Sequence, residues 1–400
     1  MQNNAELKSN DLKIWTFSFS ALIFIAVLVS MCVSVIIPAM PIIMKQENFS
    51  YSFITYTFVG LIVGRFISSN MVGLLLDKHL PHKILVCAFV LHTITMCIFA
   101  FVRSEIVFVF LRFLEGIFEG VVAVTLQIMV IALSKTENRG RKMGIFSSSY
   151  GLGFIIGPAI GGTVLQLAGP KGVFLSVAIL MVLGLIWLGL IYNALAKDMT
   201  VPVPAKKSFD LEFLKYLPLY GGAILQRGLF VSFSILLPLF LVDYFKLQPY
   251  QVGFYFTSSA IITTILMPLT GRLADEAYRT RIVVSAILVM GLSIIGFGLV
   301  TNQKLFTLLF LIETTAFSFM VPASMKIFGD QVDKHPRRGQ IIGTTSSSRE
   351  ILNVILIFCL VPLYQYKVRL PWIILGFSSL LLAIPYLYAG RQDVVVEKTL

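Results

Sequence analysis

Eight ionisable side chains stand inside otherwise apolar stretches of this 400-residue chain: Arg65, Arg112, Glu115, Glu119, Arg227, Glu313, Arg349 and Glu350, four of each sign. Moving an ion away from water is expensive, so charges in such places are kept for function or for pairing. Arg112, Glu115 and Glu119 are spaced i, i+3 and i+7, which puts them on one helical face with Glu115 in reach of Arg112. Carboxyls in a partly dry chamber can exchange a proton with water. Glu119, then Glu313, then Glu115 are the expected proton carriers, with Arg112 beside them. A guanidinium fork suits two-point recognition of a carboxylate or phosphate. Arg65, Arg227 and Arg349 are therefore expected to take an anionic or zwitterionic solute with several carboxylates, and Glu350, Gln226 and Tyr150 to complete the site. A neutral ion-pair network that only fixes the fold is the competing reading of the same residues.

The elements that must position these groups follow from composition. The chain is 57% hydrophobic and 13% charged, against about 25% charged residues in a soluble domain. Its mean hydropathy is +0.88. It is an integral membrane protein. A span needs about 20 mostly apolar residues. That rule gives twelve: 14–40, 51–76, 83–102, 105–132, 143–168, 172–195, 214–243, 250–273, 281–300, 304–327, 339–366 and 370–390. The expected fold is all-α, with twelve transmembrane helices in two pseudo-symmetric six-helix bundles: 1–195, a cytoplasmic linker at 196–213, and 214–400.

Of the 32 lysines and arginines, 21 fall in segments on the side of the termini and seven in the opposite loops. Basic residues stay inside, so both termini are expected in the cytoplasm. The same rule accounts for the net charge of +12 without nucleic acid. The first apolar run is too long for a cleaved signal and reads as a retained span. Cys32, Cys87, Cys97 and Cys359 all fall in apolar runs and read as buried small hydrophobes. His79, His82 and His335 fall in inner loops, and His92 lies on a span expected to be peripheral. None of these pairs with cysteines at metal spacing, so no metal or cofactor is expected. There is no phosphate-binding loop and no histidine placed beside a nucleophile, which excludes ATP-driven and covalent chemistry and leaves an ion gradient as the energy source.

Two patterns suggest how the spans work. Gly144, Gly153, Gly157, Pro158, Gly161 and Gly162 form a ladder with no charge between Lys142 and Lys171. Small residues at such spacing let another helix approach closely in lipid, and proline loosens the local geometry. The chain also repeats. Gly73 and Asp77 recur 198 residues later as Gly271 and Asp275, and Glu115 recurs as Glu313 at the same offset. A similar offset, 199, carries Gly144 and the serines that follow onto Gly343 and Ser346–Ser348. Duplicated units are characteristic of secondary transporters.

With these residues in view, the whole chain resembles the major facilitator superfamily. Gly73, Asp77 and Lys78 resemble the family's loop motif between spans 2 and 3, with Pro81 where a second glycine is usual. Arg112 resembles its fourth-span arginine, with Glu115 where glutamine is usual. The glycine ladder matches the fifth-span motif of its proton-coupled exporters. The resemblance implies a cavity lined by spans 1, 2, 4, 5, 7, 8, 10 and 11, on which all eight charges fall. It also implies conformational roles for Gly73, Asp77, Gly153, Gly157, Pro158, Gly161 and Asp275.

The expectation is a bacterial inner-membrane, monomeric exporter of a small organic solute by proton antiport, an opine-type metal chelator fitting the arginines best. A multidrug antiporter of the same architecture is the alternative. Nutrient uptake lacks the sugar-porter signature at Tyr192–Lys197, and a non-transporting sensor lacks a further soluble domain.

Overall fold

Long apolar runs without water to satisfy their backbone must form helices, and helices are the regular structure found. The computed structural model describes residues 15–76, 79–134, 138–198, 217–274, 279–333, 338–384 and 386–387. Among the described residues there are eleven helices: α1 Phe17–Gln46, α2 Tyr51–Leu76, α3 Pro81–Phe99, α4 Glu105–Ala132, α5 Arg139–Asp198, α6 Leu217–Asp243, α7 Pro249–Ala274, α8 Arg279–Leu299, α9 Gln303–Asp333, α10 Arg338–Tyr366 and α11 Leu370–Leu381. Seven of them are long and apolar enough to cross a bilayer.

The helix ends follow local chemistry. Thr16 caps α1, its hydroxyl accepting from the Phe19 amide at 3.3 Å. Pro81 opens α3, where a missing N–H costs nothing. The expected spans 5 and 6 are not separated by a loop: α5 runs through 60 residues. At 1.5 Å per residue that would reach about 90 Å if straight, roughly three times the hydrocarbon core. Gly169 interrupts it, with φ 65° and ψ −169°, a backbone that glycine adopts without steric cost. Pro170 then starts the second limb. Most of the expected linker, 199–213, lies outside the described residues.

Residues Met1–Phe49, Tyr56–Ala205 and Gln248–Thr257 form one compact unit. Within it α1 packs along α5, and α3 packs on both α4 and α5. The glycine ladder carries the first contact: a Cβ at Gly153, Gly157 or Gly161 would collide with Ser30, Ser34 or Val35 of α1, and the Ser34 hydroxyl donates to the Gly153 carbonyl at 2.9 Å. Gly144, by contrast, has open space around its Cβ position. Ser50–Thr55, Lys206–Leu247 and Ser258–Leu400 form the other unit. There α8 packs on α9 and α11, and α6 on α10.

The repeat reaches into the cores. Phe99 meets Phe108 at 4.8 Å between ring centroids and Phe174 at 5.0 Å. Exactly the same offset of 198 leads to Phe297, Phe306 and Trp372, where Phe297 meets Phe306 at 4.8 Å and Trp372 at 5.6 Å. Large apolar side chains elsewhere point outward, as at Leu167, Leu190 and Ile106, which suits acyl chains as solvent. The same holds for two cysteines. Cys32 is buried, but Cys87 and Cys359 are exposed rather than buried, because an apolar helix face in a membrane protein need not face inward.

Candidate functional site

The site in the first unit begins with glycine. Gly60 and Gly64 on α2 and Gly116 and Gly120 on α4 leave no room for a Cβ at the closest points: each would press on backbone or side chain of the other helix. Two glycines at i, i+4 on each partner let the two helices touch. That contact carries Arg65 and Glu119, the residues next to Gly64 and Gly120, onto each other. Arg65 Nη2 donates to both Glu119 oxygens at 2.5 and 2.6 Å, and Arg65 Nε to Oε2 at 3.1 Å. Both side chains keep some exposure, 26% for Arg65 and 13% for Glu119.

One turn earlier, Arg112 Nη1 donates to both oxygens of Glu115 at 2.7 Å. This pair is sealed, at 3% and 4% side-chain exposure, and the Phe58 ring covers the guanidinium at 5.4 Å. The three residues on one face of α4 thus divide their partners: Arg112 and Glu115 satisfy each other within the helix, while Glu119 turns to α2. Two cations and two anions leave the cluster neutral.

Glu119 is the centre of this arrangement. Tyr150 on α5 is half-buried, its ring edge-on to that of Phe146 at 5.2 Å between centroids. His92 was not foreseen. It is 3% exposed, and neither ring nitrogen has a hydrogen-bond partner among the described residues. Its only signal in the sequence is a histidine midway along an apolar run. The glycine contact between α2 and α4 has only a faint sequence signal, since glycine pairs on two separate helices do not show that they face each other.

The second unit holds Glu313 on α9, 7% exposed, with the Thr314 hydroxyl at 3.4 Å and no ion pair among the described residues. The repeat explains its isolation. Glu313 corresponds to Glu115 at the offset of 198, but Phe310 stands where Arg112 would be. Thr263 stands for Arg65, Met290 for His92 and Phe317 for Glu119. On α10, Glu350 accepts from Asn353 Nδ2 at 3.1 Å. Asp77 and Asp275 lie outside the described residues, as do the side chains of Gln226, Arg227 and Arg349; Gly73 falls within α2.

Comparison with known proteins gives this geometry a setting. The Staphyloferrin B transporter of Staphylococcus aureus is 25% identical over 377 residues, covering 89% of this chain and 86% of that protein. Multidrug resistance protein 2 of Bacillus subtilis is 21% identical, covering 86% and 88%. A crystal structure of a POT family transporter in complex with a thioalcohol-conjugated peptide shares the fold, with a TM-score of 0.74 at 15% identity over 94% of this chain and 96% of that one. The sequence matches the family described as the Major Facilitator Superfamily over residues 22–355, with a second match over 219–398. The chain belongs to the Major Facilitator Superfamily: it is a multi-pass membrane transporter of a small-molecule substrate, not an enzyme.

Proposed function

We propose that this chain exports a small carboxylate-bearing solute in exchange for protons, by alternating access of two six-helix bundles with twelve spans in all, α5 supplying two of them on either side of Gly169. The observation that carries the reading is the Arg65–Glu119 fork, partly exposed and formed between two helices. A zwitterion can enter such a fork without creating net charge: its carboxylate replaces Glu119 on Arg65, and its ammonium takes Glu119. Arg227, Arg349 and Glu350 are proposed as binding groups for carboxylates and amines in the second unit. Opine-type metal chelators carry both groups, and the similarity to the Staphyloferrin B transporter supports this substrate class.

Glu313 is the first choice for the exchanging proton, ahead of Glu119, because no cation compensates it among the described residues. Arg112 and Glu115 hold the fold around the fork. The expected setting is a bacterial cell membrane with both termini in the cytoplasm and the protein acting as a monomer. Multidrug efflux is the second reading, favoured by the similarity to Multidrug resistance protein 2.

The test compares the small molecules secreted by cells with and without the protein, then measures transport in everted vesicles with an imposed proton gradient. Loss of a carboxylate-bearing product in the deletion, and its gradient-driven uptake into everted vesicles, is expected. Unchanged secretion together with resistance to lipophilic cations that survives Arg65→Glu would favour the second reading.

A further inference from the structure

We propose that Glu350 and Asn353 on α10 hold a primary ammonium group of the solute, and that the Asn353 amide oxygen selects for a cation that carries N–H groups. The subsite rests on the proposed export of a solute with carboxylates and amines, and it names the kind of amine that the second unit takes.

The two residues stand three apart on one helix and meet: Asn353 Nδ2 donates to Glu350 Oε2 at 3.1 Å. An ionised carboxylate only accepts, so the amide nitrogen must face it and the amide oxygen is left over. That oxygen is orphaned. Asn353 is 1% exposed, and its Oδ1 has no hydrogen-bond partner among the described residues. Neither Gly228 nor Ser232 on α6 offers it a donor. A Cβ built at Gly228 would stand 3.8 Å from Oδ1, and the Ser232 hydroxyl spends its proton on the Gly228 carbonyl at 2.8 Å. Buried polar groups are nearly always satisfied, so this one asks for a donor brought from outside. Packing alone does not require an amide here. At the offset of 199 that aligns the serines of α10 with those of α5, Gly151 and Phe154 stand in place of Glu350 and Asn353.

Glu350 is half-buried and makes no ion pair among the described residues. A carboxylate and an orphaned amide oxygen side by side ask for a cation with N–H groups. The distances allow one to bridge them. The oxygen and nitrogen of an amide lie about 2.3 Å apart, so Oδ1 is within about 5.4 Å of Glu350 Oε2. Two charge-assisted bonds of about 2.8 Å reach across about 5.6 Å. A primary ammonium has three donors. One goes to Glu350, one to Asn353 Oδ1, and the third stays with the solute or with water. A quaternary ammonium has no N–H and leaves Oδ1 unmet. The pair therefore favours an amine-bearing metabolite over a quaternary lipophilic cation.

The test uses the full-length chain in lipid nanodiscs and reads the melting temperature in about 100 mM methylammonium chloride, tetramethylammonium chloride or sodium chloride. Wild type is expected to melt about 2 °C or more higher with methylammonium than with either other cation. Asn353→Leu and Glu350→Gln should each lose that difference. Equal melting temperatures in the three salts for wild type overturn the proposal, and so does a methylammonium effect that survives in Asn353→Leu. If Asn353→Leu does not give monodisperse protein, Asn353→Met replaces it with the same two outcomes. Secretion by cells with and without the protein separates the subsite from the parent reading. Unchanged secreted carboxylates alongside a methylammonium effect that needs Asn353 sink the proposed export and leave the amine subsite. Loss of a secreted carboxylate in the deletion, with no methylammonium effect, sinks the subsite alone.

Discussion

Gly116 on α4 lies against the backbone of Leu61 on α2, so close that a Cβ there would come within 3.0 Å of the Leu61 carbonyl carbon and 3.1 Å of its Cα. The contact is backbone on backbone, with no flexible side chain to give way. The Arg65–Glu119 fork sits at the next turn and depends on it.

Gly116→Val is therefore expected to push α2 from α4, to lower stability by about 1–3 kcal/mol as an overpacked contact, and to abolish transport. Gly144→Ala, where nothing lies within 4 Å, should change neither. Thermal unfolding in detergent, followed by size-exclusion, reads both. Equal melting temperatures for Gly116→Val and wild type would remove the glycine contact as the device that builds the fork.

Arg112 and Glu115 form the sealed pair, and removing one partner leaves a buried charge alone. Arg112→Met should cost about 3–5 kcal/mol, whereas Arg112→Met with Glu115→Leu should recover much of the loss. A double-mutant cycle on unfolding measures the difference. Additive losses would mean the two side chains do not depend on each other.

Glu313 packs without a counter-ion among the described residues, so neutralising it removes no ion pair seen there. Glu313→Gln is expected to fold with a melting temperature at or above wild type and to lose the dependence of transport on the proton gradient. Substrate exchange without a gradient should persist. Gradient-driven transport at the wild-type rate would transfer the coupling role to another group.

Lys142 is 1% exposed at the start of α5. Its ammonium donates to the Leu133 carbonyl at 2.7 Å, closing the C-terminal end of α4, and lies 4.9 Å from the centre of the Phe19 ring on α1. One cation thus ties three helices. Lys142→Met should destabilise by about 2–4 kcal/mol, the sum of a charge-assisted hydrogen bond and a cation–π contact. A shift in melting temperature without a change in transport per folded molecule is expected; a transport defect in fully folded protein would contradict a purely structural role.

Composition and the length of the apolar runs dictated a helical membrane protein, because continuous runs of about 20 apolar residues satisfy their backbone in lipid as helices, whereas barrel strands are short and alternate. Spacing alone paired Arg112 with Glu115, since three residues along a helix bring side chains together whatever surrounds them. The recurrence of Glu115 as Glu313, and the glycine ladder of α5, were equally plain. Other relationships needed the tertiary structure. Arg65 and Glu119 are 54 residues apart, and no local rule joins them; the glycine contact between α2 and α4 does. The burial of His92 depends on which face α3 turns to α4 and α5, and an apolar helix in lipid gives little sign of that, because its outer face is as apolar as its inner one. For the same reason Cys87 and Cys359 read as buried and proved exposed. Periodicity reports burial only where water covers the other side, and in a bilayer that contrast is absent, so packing decides it.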